Sequence, residues 1–178
     1  MGLCTAAQVK AYATNVPSSS MDGLIDQLIT AESAAIERFL QRTLTQPQNS
    51  VAETYDGNGG FRLPLNSYPI ASVDSVVVDG TTWDASWYTH DLRGLVALEG
   101  RRWTRGRRNV VVTYKGGYTT IPSDIQQACV ELVCLRLEER KRQGISSQSI
   151  AGESVSYSSD PMPASVVQKL KPYLSYAG

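Results

Sequence analysis

Histidine occurs once in this 178-residue chain, as His90 in "WYTHDLRG", and that scarcity removes more chemistry than any other compositional fact. A Ser or Cys nucleophile needs a neighbouring base, so a catalytic triad would have to be assembled around this one ring. Asp91 follows directly and falls on the opposite face of a strand, which makes a surface or interstrand histidine the simpler reading. Zinc fails on the same count, because one histidine and scattered acids make no clustered ligand set. Cysteine is nearly as rare. Cys4, Cys129 and Cys134 are an odd number without metal-ligand spacing, and the two that lie five residues apart in a helical pattern face different ways, so all three read as reduced thiols of a cytosolic protein. Net charge is missing too: 17 Lys plus Arg balance 17 Asp plus Glu, which leaves no global pull toward nucleic acid or membrane. No apolar run approaches the roughly 20 residues that cross a bilayer. The opening "MGLCTA" has neither the basic start nor the apolar stretch of a signal peptide, and Ala6 stands where myristoylation calls for Ser or Thr. These absences predict one domain with no catalytic residues, no metal, no cofactor and no membrane association.

Glycine, by contrast, is dense at one point. "YDGNGGFRLPL" places Gly57, Gly59 and Gly60 within four residues. A phosphate cradle requires such a loop to follow a buried strand and to open a helix whose first amides face the anion, with a Lys or a hydroxyl beside them. Here an alternating strand follows instead, and no Gly-Lys-Ser/Thr occurs in the chain. The acids of "DGNGG" also lack calcium-loop spacing. Asp-Gly and Asn-Gly supply the positive φ angles of tight reversals, so this stretch reads as a hairpin turn.

Around it the hydrophobic period changes twice. Thr5 with Gln8 forms a capping-box spacing before a short helix, and Ser19 with Asp22 another before a longer one. In the longer helix Leu24, Leu28, Ala31, Ala35 and Phe39 make a continuous stripe that Ile25, Ile29, Ile36 and Leu40 widen, with Glu32, Glu37, Arg38 and Gln41 left for solvent or a neighbour. From Val51 to Tyr118 the period is two, which predicts an antiparallel sheet with a turn at Asp79-Gly80. Phe61, Leu63 and Leu65 alternate there with Arg62 and Pro64. Helical spacing returns from Ser123, the expected N-cap, to Gly144, the expected C-cap. "ISSQSIAGESVSYSSDPMP" is rich in Ser and poor in apolar residues, and reads as an extended arm. Val166, Val167, Leu170 and Tyr173 then mark a short amphipathic helix, marginal alone and in need of a groove. The fold class is α+β: a helical bundle packed with a small antiparallel sheet as the body, residues 1–143, and a C-terminal arm ending in a short helix, residues 144–178.

"RRWTRGRR" is the one stretch that resists a plain reading. Arg101, Arg102, Arg105, Arg107 and Arg108 surround Trp103 in an otherwise neutral chain. A solvated hairpin tip is the plain reading; the functional readings are an acidic protein partner and nucleic-acid phosphates, with Trp103 available for stacking. A small nucleic-acid-binding protein using this loop is therefore the alternative function.

The order of three segments, "YDGNG", "YPIASVDSVVVDG" and "VTYKGGYTTIPSDIQQA", resembles the small head-tail connector, or adaptor, proteins of long-tailed bacteriophages. The similarity runs over about residues 5 to 143 and takes in the tail from "SQSIAGESVSYSSDP" to "KLKPYL". What the resemblance implies is a structural protein, not an enzyme: a homo-oligomeric ring, commonly of about twelve copies, docked under the portal protein at the capsid vertex. Such a ring offers a surface to the tail-completion or stopper protein, and passing genomic DNA crosses its bore with weak, non-specific contact at most. The implied location is the head-tail junction of the virion, with assembly in the bacterial cytoplasm. Family members place the final helix against the portal, so Val166, Val167, Leu170 and Tyr173 become portal-docking candidates and the arginine stretch a candidate surface for partner or DNA. The density of arginine in "RRWTRGRR" departs from the family and is particular to this chain.

Overall fold

The computed structural model describes residues 2–13, 21–91, 95–98, 100–141, 147–150, 153–156 and 162–174. The fold is α+β, as the two periodicities require. Its contacts gather into two compact units, one of residues 1–41 with 122–175 and one of residues 42–121.

The first unit is helical. Helix α1 (Ala6–Tyr12) starts where the capping box puts it: Gln8 N–H donates to the Thr5 hydroxyl at 3.3 Å and Thr5 N–H donates to the Gln8 side chain at 2.8 Å. Helix α2 (Asp22–Leu40) has Met21 at its N-cap with no side-chain hydrogen bond, and the expected cap Ser19 lies outside the described residues. Of its two overlapping apolar stripes the core takes the β-branched one. Ile25, Ile29, Ile36 and Leu40 are buried, whereas Leu24, Leu28, Ala35 and Phe39 are half-exposed and Ala31 is exposed. The two stripes differ by one residue, which is a rotation of about 100° that periodicity leaves open. That rotation also buries Glu32, expected to face solvent, and its carboxylate accepts from Arg136 Nε at 3.0 Å. Helix α3 (Ser123–Lys141) runs through the middle of this unit with Ile125, Ala128, Cys129, Val130, Leu132, Val133 and Leu137 buried, while Leu135 is half-buried. Its first turn is closed by Ile125 and Gln126 N–H groups donating to Pro122 O, and the expected C-cap Gly144 lies outside the described residues.

Two further segments complete the unit. The N-terminal residues Leu3 and Cys4 are buried; Leu3 N–H donates to Ser33 Oγ at 2.9 Å and the Cys4 thiol lies 3.3 Å from the Cys129 sulfur. All three cysteines are free. Helix α4 (Ala164–Leu170), entered through Pro163, packs on α3 with Val166 and Leu170 buried, and a Lys169–Glu131 ion pair joins the two helices. Within the segment read as an arm, Ser147–Ile150 and Glu153–Ser156 pair as an antiparallel ribbon.

The second unit is built on β-strands, with a 3-10 turn at Ala85–Trp87. Strands β1 (Val51–Gly57), β3 (Ile70–Val78), β4 (Thr81–Thr82) and β7 (Gly106–Gly116) form a sheet in the order β1-β7-β3-β4, and β2 (Arg62–Pro64), β5 (Tyr88–His90) and β6 (Leu95–Leu98) a second in the order β2-β6-β5, both antiparallel. Along β7 burial alternates through Val110, Val112 and Tyr114, the period-two pattern of a sheet with one face in the core. Asp79 at φ 50° and Gly80 at φ 79° turn β3 into β4, the paired positive angles for which Asp-Gly is suited. The glycine stretch behaves differently from the hairpin expected of it. It joins β1 to β2, which pair with β7 and β6 and not with each other. Asn58 shapes this link, accepting from Gly60 N–H at 2.9 Å and donating to Arg62 O at 2.8 Å, while Gly59 takes φ 74°. The reversal is local and its strand partners are distant, so dipeptide signals located the turn but not the pairing.

Candidate functional site: an arginine-rich edge

The stretch "RRWTRGRR" leads into the first residues of β7, and Trp103 anchors it. That indole is 1% exposed and stacks on Trp83 with ring centroids 5.7 Å apart and planes 4° apart. Trp87 meets Trp83 edge-on at 5.9 Å, and Trp103 N–H donates to Gly60 O at 2.9 Å. The expectation that Trp103 is free to stack on a nucleic-acid base is therefore corrected. Its ring fills the core of the β unit beside Leu63, Val96 and Val110, where its area is better buried than offered to solvent. The indole Nε1–H has no acceptor there, a cost that stacking and burial outweigh.

With the tryptophan inside, the arginines face out. Arg101, Arg102, Arg105, Arg107 and Arg108 are all exposed. The Arg101 guanidinium lies 3.9 Å over the Trp87 ring, and that of Arg102 lies 4.3 Å over Phe61. Phe61, which alternation assigned to the same face as Leu63 and Leu65, is instead 50% exposed and serves as this platform. Beneath the edge, Asn109 works as a clamp. Its Oδ1 accepts from Gly57 N–H at 2.9 Å, and its Nδ2 donates to Thr104 O at 3.0 Å and to Asp79 Oδ1 at 3.1 Å. Arg108 sits at φ 50°, held by its own N–H donating to Asp56 Oδ1 at 2.6 Å. The β1–β7 register slips between Tyr55 and Gly57, and a Cβ on Gly57 would lie 1.8 Å from Thr104 O, so only glycine lets the loop cross there. Among the described residues none of the five guanidinium groups is paired with a carboxylate.

The other candidates separate into two pairs. Val166 and Leu170 are buried against α3 of the same chain, so the groove that α4 needs is supplied internally and these two side chains are not presented to a partner. Val167 and Tyr173 remain half-exposed, with Tyr173 OH donating to Asp124 Oδ2 at 3.3 Å. His90 lies exposed in β5 opposite Val96. An open cavity in the helical unit, about 430 Å³, is lined by Gln8, Ala11, Tyr12, Ser123, Gln126, Gln127 and Val130.

Two features escaped the sequence. In the β unit Glu53 Oε2 accepts from Tyr114 OH at 2.8 Å, from Asn66 Nδ2 at 3.1 Å and from Tyr55 OH, and burial pushes both phenols above the ordinary tyrosine value. Arg42 is 5% exposed, lies 3.7 Å over the Tyr68 ring and donates to Tyr68 O at 2.8 Å. No periodicity announces either, because both are assembled from residues far apart in the chain.

Comparison with known proteins adds the following. The model of the Head completion protein family matches residues 2–175. A chain from the neck of an empty gene transfer agent particle, determined with C6 symmetry, is similar at TM-score 0.63 and 18% identity, over 97% of this chain and 89% of that one. A chain from the virion of the native gene transfer agent particle is similar at TM-score 0.56 and 18% identity over the same shares. At that identity the likeness is one of fold. No curated protein matches the chain.

Proposed function

The chain belongs to the head completion protein family, and on that premise we propose that it is a structural connector at the head-tail junction of a phage-like particle. The observation that carries this reading is the family match across residues 2–175, with a shared fold along 97% of the chain in a particle neck. In the finer form of the proposal, about twelve copies close a ring beneath the portal by repeating one heterologous contact. The ring joins portal to a tail-completion or stopper protein, and genomic DNA passes through its bore. Assembly takes place in the bacterial cytoplasm.

The half-exposed stripe of α2, Leu24, Leu28, Ala35 and Phe39, supports the ring contact: it is apolar surface beyond what the helical core consumes. For portal docking, the C-terminal helix contributes through Val167 and Tyr173, while Val166 and Leu170 hold the helix in position on α3. Residues 144–178 are the docking segment in this reading and residues 1–143 the body. The test is electron microscopy and co-sedimentation of the full chain with its portal. A ring on the portal is the expected result; a closed dimer as the sole assembled form, or no binding, overturns the proposal.

A further inference from the structure

The arginine edge carries a surface of unusual charge for this protein. Setting its five arginines aside leaves 12 basic residues, 17 less five, against 17 acidic ones, so the rest of the chain is negative and the edge is the concentrated exception. Its geometry is that of a built surface. Trp103 is buried beneath it, Asn109 ties the Thr104 carbonyl to the Gly57 amide and the Asp79 carboxylate, and the Arg101 and Arg102 guanidinium groups lie over the Trp87 and Phe61 rings. A guanidinium stacked on a ring keeps its N–H edge outward and has already given up rotamer freedom, so less is lost when it binds an oxyanion.

Two kinds of oxyanion suit such forks, carboxylates and phosphates. On this chain the exposed acids Asp56, Asp74 and Asp84 are each engaged by hydrogen bonds of their own, which makes a second copy's carboxylates the poorer match. Duplex DNA instead presents one phosphate charge per roughly 1.7 Å of axis, dense enough for several arginines at once in any register. The geometry points to this edge as a contact surface for the phosphate backbone of duplex DNA, engaged without regard to base sequence. The neighbouring carboxylates Asp56 and Asp79 moderate the field, so the contact is weak and salt-sensitive. The inference rests on the arginine geometry and stands apart from the connector reading.

Fluorescence anisotropy of the full chain with labelled duplexes of unrelated sequence tests it. With two to five phosphates engaged, log affinity falls with log salt at a slope between about −1.8 and about −4.5, an affinity loss of about 12-fold to about 500-fold from about 50 to about 200 mM salt. Replacing the five arginines by serine is expected to abolish binding while the melting temperature holds. The five-lysine variant, which keeps charge without the stacked fork, is expected to bind with a similar slope but more weakly. Equal binding by the serine variant, a slope near zero, or tighter capture of a polyglutamate peptide than of DNA at matched salt each overturns the proposal, the last in favour of an acidic protein partner. Attachment of the serine variant to portal particles, measured separately, reads the connector function independently of DNA contact.

Discussion

Leu170→Ala and Val167→Asp, compared side by side, distinguish the role of α4 in folding from its proposed role in docking. Leu170 is fully buried on α3, and α4 spans only seven residues, too short to persist without that contact. Truncation removes the transfer free energy of the lost carbons and leaves a cavity, together about 2–5 kcal/mol. For a chain of this length that corresponds to a melting point lower by roughly 4–20 °C, at about 2–4 °C per kcal/mol. Val167 lies three residues before Leu170 on the same helix and is half-exposed, so Val167→Asp is expected to change stability by less than about 1 kcal/mol. Thermal and urea unfolding give the stabilities, and co-sedimentation with portal particles gives attachment. The expected pattern is a destabilised Leu170→Ala chain that still attaches below its melting point, and a stable Val167→Asp chain that attaches poorly. A Leu170→Ala loss below about 1 kcal/mol would refute the packing argument, since a side chain with no exposed surface cannot be truncated so cheaply if its surroundings are ordered.

Trp103→Ala should cost about 3–5 kcal/mol by opening the core under the arginine edge, and denaturant unfolding measures it; retention of wild-type stability would show that the edge is not anchored there. Gly57→Ala forces a methyl group to within 1.8 Å of Thr104 O, so the loop must move and stability should fall by more than about 1 kcal/mol, beyond the usual effect of an exposed substitution. Tyr55, Tyr88 and Tyr114 are held above the ordinary tyrosine value chiefly by burial, so their stabilising contribution is complete below about pH 10 and is lost as pH rises past that value. Spectrophotometric titration should therefore show that part of the nine tyrosines ionises only as the fold opens, and a single ordinary transition for all nine would contradict the buried network with Glu53.

Much of the architecture was legible locally. The capping box at Thr5, the period-two run of β7 and the Asp79-Gly80 turn are each specified by residues within a few positions of one another, so sequence reading and structure agree there. Helix α2 shows where that legibility stops. Its sequence carries two apolar stripes one residue apart, and only the shape of α3 decides that Ile25, Ile29 and Ile36 face inward, taking Glu32 into contact with Arg136.

The arginine edge divides in the same way. That five guanidinium groups cluster in a neutral chain follows from the order of residues, and so does the expectation that they stay solvated. That Trp103 turns inward, that Phe61 turns outward beneath Arg102, and that Val166 and Leu170 find their groove in their own chain depends on partners tens of residues away. Local pattern sets which residues are able to be buried; the long-range packing of strands and helices selects which of them are, because apolar area is removed from water only where another surface arrives to cover it.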